Sequence, residues 1–113
     1  MTLIRLISRT WASVLSWFRD EFLCIDMHGD EPPGKIARLR LIRMIDEGEP
    51  WVAVMMCPCG CGDVIELSLS PASKTHWTLS IDGHRPTLYP SVWRNTGCRS
   101  HFWVQRGRVR WVP

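Results

Sequence analysis

The sequence lacks any long apolar run that is free of charge. The apolar stretch at the start, MTLIRLISRTWASVLSWF, is interrupted by Arg5 and Arg9. A secretory signal requires an unbroken apolar segment, and a membrane-spanning helix requires about 18 apolar residues with few or no charges. We therefore expect neither a signal peptide nor a membrane span, and we predict a cytoplasmic protein.

The sequence also has little excess charge and no cysteine pattern suited to disulfides. The net charge is +3, which does not by itself indicate a nucleic-acid partner. Of the five cysteines, Cys57, Cys59 and Cys61 are too close together to pair well with one another. In a reducing compartment, cysteines spaced this closely usually bind a metal or act in catalysis.

The 113 residues fit a single small domain. Apolar residues from position 3 to position 23 recur at three- and four-residue spacing, which predicts an amphipathic helix. We favour a helix docked on the domain or on a partner subunit over one lying on a membrane surface. HGDEPPG, residues 28–34, has the composition of a linker. We thus predict a helix and linker over 1–34 and a β domain over 35–113.

Alternating patterns predict strands in the second segment. KIARLRLIRMI favours a half-exposed strand, with a short helix as the alternative. The short apolar run WVAVMM and the alternating segment VIELSL predict two more strands. Asp82-Gly83 and Arg106-Gly107 each separate two strand-like runs, which predicts two hairpins. Pro86 lacks an N–H group, so the second strand of the first hairpin is expected at a sheet edge.

The run CPCGCG is suited to a metal ion. Alternate residues of an extended chain share a face, so three thiols can converge while the glycines allow a tight turn. Crowded thiolates would repel one another without a cation, and zinc binds the deprotonated form. The predicted fold class is therefore α+β: an N-terminal helix followed by a small antiparallel β-sheet domain that one zinc ion staples together.

The fourth ligand has two candidates in Cys98-Arg99-Ser100-His101. With this segment there are five donors for a site that normally takes four. We predict Cys57, Cys59, Cys61 and Cys98 as the ligands, with His101 as the alternative fourth ligand. A histidine left off the metal could act as a base, and a cysteine left off could be a nucleophile. Zinc is favoured over an iron–sulfur cluster, because a histidine is near and no ferredoxin spacing is present.

Residues 51–112 resemble a small bacterial family of zinc-binding proteins. Its pattern is C-x-C-G-C-G, a W-x-L…D-G hairpin, a P-S-[IV] turn, C-x-S-H-[YF]-W-[IV] and a closing V-x-W. Genes of this family often lie beside bacterial ubiquitin-like proteins and their activating and conjugating enzymes. The resemblance implies a deubiquitinase-like peptidase that processes or removes the modifier, with those proteins as partners. This chain departs from the family's P-S-I-G-N-W, since it has Val92-Trp93-Arg94-Asn95 after Ser91.

A peptidase needs a nucleophile and a base. Ser91 and Ser100 are the candidate nucleophiles, His101 or His84 is the candidate base, and Asp82 could orient a histidine. Adjacent residues of a strand face opposite ways, so Ser100 is a poor partner for His101 and Ser91 is a better one. A zinc-bound water is disfavoured, because thiolates weaken the metal as a Lewis acid and no H-E-x-x-H motif is present.

A non-catalytic binding module is the alternative function. Residues 94–113 contain no acid and interleave Phe102, Trp103 and Trp111 with arginines at positions 94, 99, 106, 108 and 110. Such a face could bind single-stranded nucleic acid or a protein partner. We rank nucleic acid below the ubiquitin-like partner, because any half-buried strand of a basic protein shows the same alternation.

Overall fold

The computed structural model describes residues 21–113, and about half of these residues lie in nine β-strands. The strands are β1 (Leu23–His28), β2 (Arg40–Asp46), β3 (Glu49–Met56), β4 (Val64–Ser68), β5 (Thr78–Asp82), β6 (Arg85–Tyr89), β7 (Val92–Trp93), β8 (His101–Gln105) and β9 (Arg108–Trp111).

The nine strands form three sheets. The first is a mixed sheet of order β1-β2-β3-β4, in which β1 and β2 are parallel and the other pairs are antiparallel. The second is the β5–β6 hairpin, and the third is an antiparallel sheet of order β7-β8-β9. Residues 29–39 connect β1 to β2 and allow the chain to return for parallel pairing.

The mixed sheet is covered on both faces. Strand β3 shows this best: Val52 and Val54 pack into one buried cluster, whereas Ala53 and Met55 pack into another. Because side chains of a strand alternate between faces, the continuous apolar run WVAVMM serves both clusters.

One cluster joins all three sheets. It includes Met55 from the first sheet, Leu88 from the second and Phe102 from the third, all no more than 1% exposed. Cys57 belongs to the same cluster and begins the β3–β4 connection, residues 57–63, which we call the cysteine loop. The core thus fixes the cysteine loop relative to the third sheet.

The prediction of an α+β fold is wrong for the described part of the chain. Residues 21–113 contain no helix. Most of the helix predicted over 3–23 lies outside the described residues, and its last residues are extended, since Glu21 forms a β-bridge with Arg108 and Leu23 begins β1. Phe22 continues the helix-like spacing but is buried at the entry to a strand. A short apolar run that continues a helix-like spacing can form either a helix or a strand.

The prediction of one small antiparallel sheet is also wrong, because the strands divide among three sheets and β1 pairs in parallel. Alternation identifies a strand but not its partner, which depends on distant contacts. Strand β2 is not half-exposed as predicted, since both Leu41 and Ile42, on opposite faces, are buried.

Both predicted hairpins are present. Arg106 and Gly107 have positive φ angles of 49° and 81°, as a tight primed turn between β8 and β9 requires. In the first hairpin Asp82 still pairs with Arg85, so the two turn residues begin at Gly83, one position later than predicted.

Candidate functional site: a cysteine cluster beside a serine–histidine pair

The cysteine loop, residues 57–63, connects β3 to β4. Cys57 follows β3, and its N–H donates to the Asp63 carbonyl at 2.8 Å, which closes the loop just before β4. Gly60 and Gly62 have φ angles of 91° and 87°. Side chains rarely tolerate this conformation, so glycine at these positions permits the sharp turns that bring the thiols together.

Cys98 completes a group of four thiols. It lies in the β7–β8 connection, and the Sγ atoms of Cys57, Cys59, Cys61 and Cys98 all lie within 4.8 Å of one another. The Cys57–Cys59 and Cys57–Cys98 sulfur distances are 3.4 and 3.7 Å. Four sulfurs bound tetrahedrally at about 2.3 Å from zinc would be about 3.8 Å apart. The cluster therefore fits a metal ion of this size, and it is compatible with zinc binding.

His101 lies outside this cluster. Within the described residues, the group of side chains able to hold a metal consists of the four cysteines alone. The His101 imidazole is directed to Ser91 instead, with 2.8 Å between its Nε2 and the serine Oγ. Of the five donors that the sequence offers, the histidine is the one that the fold leaves apart.

The thiols differ in their environments. Burial raises the pKa of the Cys57 thiol to about 12. Hydrogen bonding with Ser100 lowers the pKa of the Cys98 thiol to about 6. A metal bound by all four would release the protons that remain on the thiols.

The Arg94 guanidinium contacts two of the four sulfurs. Its Nη1 lies 3.6 Å from the Cys98 Sγ, 3.8 Å from the Cys61 Sγ and 3.2 Å from the Asp63 Oδ2. The guanidinium can thus offset part of the negative charge of bound thiolates. In the sequence Arg94 is one basic residue of many, and the one feature that distinguishes it is the departure Val92-Trp93-Arg94-Asn95 from the family's pattern.

Three contacts hold the Ser91–His101 pair. Ser91 precedes β7, and the Trp77 indole N–H donates to its carbonyl at 3.3 Å. His101 begins β8, directly opposite Trp93 in the antiparallel register. The Trp93 and His101 rings stack with centroids 5.0 Å apart and an angle of 9° between planes. The backbone N–H of Val112 donates to the His101 carbonyl at 2.9 Å, which fixes the strand.

The other sequence candidates lie elsewhere. Ser100 lies beside the cysteines rather than beside the His101 ring, and its hydrogen bonding lowers the pKa of the Cys98 thiol. His84 lies in the β5–β6 turn, and Asp82 forms an exposed ion pair of 3.6 Å with Arg106. Neither contacts the His101 ring. Ser91 is the one serine of the described residues that hydrogen-bonds to it.

The basic stripe near the C-terminus is partly neutralised. Arg108 lies 3.4 Å from a Glu21 carboxylate oxygen, and Arg110 donates to the Gln105 side chain at 3.0 Å. These contacts and the Arg106–Asp82 pair favour a solvated protein face over a phosphate-binding one. In the described range, 21–113, no helix is long and apolar enough to cross a bilayer.

Comparison with known proteins identifies the family. Residues 28–112 match the model of a family described as bacterial ubiquitination-like system serine protease (BubE). A search of the curated proteins and a search of the solved structures each found no match. The match covers three quarters of the chain and includes the four cysteines, Ser91 and His101. The chain belongs to the BubE family of bacterial ubiquitination-like system serine proteases.

Proposed function

We propose that the protein is a serine peptidase that hydrolyses the bond at the C-terminus of a ubiquitin-like modifier, with Ser91 as nucleophile and His101 as general base. The observation that carries this proposal is the 2.8 Å separation of the Ser91 Oγ and the His101 Nε2. A nucleophilic serine needs a base within this range to take its proton.

The reaction begins with a neutral His101 that carries its proton on Nδ1, so that Nε2 accepts the Ser91 hydroxyl proton. The Oγ then attacks the carbonyl carbon of the modifier's last residue, and the proton moves to Nε2. Nε2 next gives this proton to the departing amine, which leaves an acyl ester on Ser91. The same Nε2 then takes a proton from a water molecule that attacks the ester, and it gives this proton to the Ser91 Oγ as the C–Oγ bond breaks, which releases the modifier's carboxyl group and restores the serine.

The stacked indole of Trp93 supports the imidazole. Among residues 21–113, no carboxylate is hydrogen-bonded to the other ring nitrogen of His101. The ring is oriented by the Ser91 hydrogen bond on its edge and by the Trp93 stack on its face. A flat stack also shields the charged imidazolium that forms during the reaction, through a cation–π interaction.

The cysteines would hold a structural zinc ion. Four thiolates fill the tetrahedral positions of zinc, and a closed site of this kind contributes folding energy rather than an activated water. The ion would join the β3–β4 loop to the segment that leads into β8 and His101. The chain's own residues therefore carry the acid–base steps, while the ion cross-links the loops that position them.

The test is cleavage of a ubiquitin-like modifier that carries a C-terminal tag. Ser91→Ala and His101→Ala are each expected to lower kcat/KM by about 10³-fold or more. Ser80→Ala, at an exposed serine of β5, is the matched control and should retain wild-type activity. A small fluorophosphonate should also label Ser91 of the wild type and not of His101→Ala. Retention of more than half of the activity by Ser91→Ala, with its zinc content unchanged, would refute the proposal.

A further inference from the structure

Strand β7 lies at a sheet edge immediately after Ser91. Its two residues pair with β8 on one side, and within residues 21–113 no strand pairs with it on the other. The Arg94 N–H donates to the Ser100 carbonyl at 2.8 Å, so the backbone groups of Arg94 point toward β8. Because these groups alternate along a strand, the N–H and C=O of Trp93 point outward, to the free edge.

The register of β8 also indicates that the backbone N–H and C=O of Trp93 point to the free edge. Trp93 is directly opposite His101, whose carbonyl accepts a hydrogen bond from Val112 on the far side of β8. In an antiparallel pair of this kind, both residues direct their backbone groups away from each other. The edge at Trp93 therefore presents one donor and one acceptor for a further strand.

Three aromatic side chains lie on or near this edge, and two of them are exposed. Trp93 and Tyr89 are each 67% exposed, which is high for side chains of this size. The Tyr89 ring lies 6.2 Å from the Trp103 ring, and Trp103 lies two residues after His101 and so on the same face of β8. We name Tyr89, Trp93 and Trp103 the aromatic rim. Aromatic residues of this kind are enriched where proteins bind other chains.

We propose that the β7 edge and the aromatic rim bind the extended C-terminal tail of the modifier as an added strand, with the Trp93 ring packed against a tail side chain. This inference rests on the proposed function, because it places the tail by the position of Ser91. Residues of a strand advance by about 3.3 Å, so Trp93 lies about two tail residues from the bond that Ser91 would attack. Strand addition at an open edge is a common mode of peptide recognition.

The tail, rather than the group attached to it, is the favoured occupant for a chemical reason. The tail is the acyl half of the substrate and stays bonded to the Ser91 Oγ until water releases it. Contacts to this half therefore act in both half-reactions, whereas contacts to the departing amine act only in the first. A tail of extended, uncharged or acidic residues also suits a face on which Arg110 lies directly opposite Trp103.

The proposed packing of the Trp93 ring against the tail is tested with steady-state kinetics on the tagged modifier. Trp93→Ala is expected to raise KM by about 10-fold, and Trp93→Phe to recover most of that loss, since a ring is restored. Labelling of Ser91 by a small fluorophosphonate, which does not reach the rim, measures the loss caused by a less well oriented His101, and the rise in KM for the modifier should exceed the fall in the labelling rate of Trp93→Ala. If KM is unchanged while kcat and the labelling rate both fall, Trp93 only orients His101 and the docking proposal is wrong.

The proposed backbone hydrogen bonding between the tail and β7 is tested with synthetic peptides that copy the modifier's tail and end in a fluorogenic amide. Single N-methyl groups are introduced along the peptide, each of which removes one N–H donor. Strand addition predicts that one position responds, with KM raised about 10-fold where the tail N–H faces the Trp93 carbonyl and little changed at the residues on either side. Equal effects at all positions would overturn strand addition. The proposed function would fail separately, by loss of fluorophosphonate labelling at Ser91 in the wild type.

Discussion

The Arg94 guanidinium lies 3.6 Å from the Cys98 sulfur, and the Arg94 backbone N–H donates to the carbonyl of Ser100, the residue before His101. The Arg94 side chain is only 18% exposed. One residue therefore contacts the cysteine cluster through its side chain and the histidine strand through its backbone. A divalent ion bound by four thiolates carries a net charge of about −2, which the partly buried guanidinium offsets.

Arg94→Gln should weaken zinc binding. The substitution removes the positive charge beside the sulfurs and leaves the backbone hydrogen bond in place, and we expect the zinc dissociation constant to rise about 10-fold. The zinc dissociation constant of Arg94→Lys should lie between those of Arg94→Gln and the wild type, since lysine restores the charge but not the guanidinium geometry. Competition with a chromophoric chelator measures the constant.

The matched control for Arg94 is Arg99→Gln. Arg99 is an exposed arginine next to Cys98 with no sulfur contact, so its loss removes the same formal charge from the same loop. Its zinc affinity should stay within about twofold of the wild type. Equal weakening in both variants would show that overall charge, rather than the Arg94 contacts, determines affinity.

Zinc removal should unfold the domain. Structural zinc binding is worth on the order of 10 kcal/mol, which is comparable to the whole stability of a small domain. Protein purified without added metal should contain about one zinc ion per chain, and Cys98→Ser should lose most of it together with the cooperative thermal transition. Elemental analysis and circular dichroism measure the two effects.

Cys24→Ser is the control for the zinc prediction. Cys24 lies in β1, outside the cysteine cluster, and burial raises its pKa to about 11, so it is a packed thiol. This variant should keep its zinc and lose only a modest amount of stability. Full zinc occupancy in Cys98→Ser would contradict the four-cysteine site.

Local patterns in the sequence predict most of the strands and both hairpins. The apolar run over 51–56 corresponds to β3, the alternation over 64–69 corresponds to β4, and Arg106-Gly107 forms the expected turn. The pairing of strands is not local, and no pattern indicates that β1 lies parallel to β2. The helix assignment near Phe22 was wrong because burial against the core, rather than periodicity, determines the conformation there.

For the candidate site, spacing indicates donors and folding selects among them. Because neighbours on a strand face opposite ways, the sequence favours Ser91 over Ser100 as the partner of His101, and the Ser91 and His101 side chains do form a hydrogen bond. The packing of the β7–β8 connection determines whether Cys98 or His101 lies with the other thiols. This packing cannot be predicted from the five donor residues alone. Arg94 could not be identified, because its contacts join residues more than 30 positions apart.

The ion pair between β1 and β2 gives a prediction about pH. Arg43 donates to both Asp26 carboxylate oxygens, at 2.8 and 2.7 Å, and this hydrogen bonding holds the pKa of the carboxyl below its usual value. A lowered carboxyl pKa contributes stability that is full above the unfolded-state pKa of about 3.9 and is lost as the pH falls through the folded-state value. Asp26→Asn should thus lower the free energy of unfolding by about 0.2–1 kcal/mol, since the pair is exposed.

Measured in a His28→Gln background, which removes the second charged group that acts on Asp26, this loss should be constant between about pH 8 and pH 5, because the carboxyl stays ionised in both states there. It should shrink in high salt. Urea unfolding at several pH values measures it. Asp30→Asn is the control, at an exposed loop carboxylate. A difference that grows as the pH falls from 8 to 5 would contradict the assigned sign.

Gly107 offers a test of how the third sheet is joined to the start of β1. Its N–H donates to the Pro86 carbonyl at 2.7 Å and its carbonyl accepts from the Phe22 N–H at 2.6 Å. A Cβ at this position would lie 2.6 Å from the Phe22 carbonyl oxygen, which is backbone and cannot rotate away. Gly107→Ala should therefore lower the free energy of unfolding by about 2–4 kcal/mol, since it combines a positive-φ cost of 1–2 kcal/mol with a clash.

Gly48→Ala separates these two costs. The turn at Glu47 and Gly48 has φ angles of 52° and 77°, nearly those of Arg106 and Gly107, but nothing lies within 4 Å of a Cβ at Gly48. The Gly48 variant should lose only the conformational part, about 1 kcal/mol. Urea unfolding of both variants measures the difference, which is the contribution of the close approach to Phe22. Equal losses would mean that the backbone of Phe22 moves freely and that this contact does not hold the third sheet against β1.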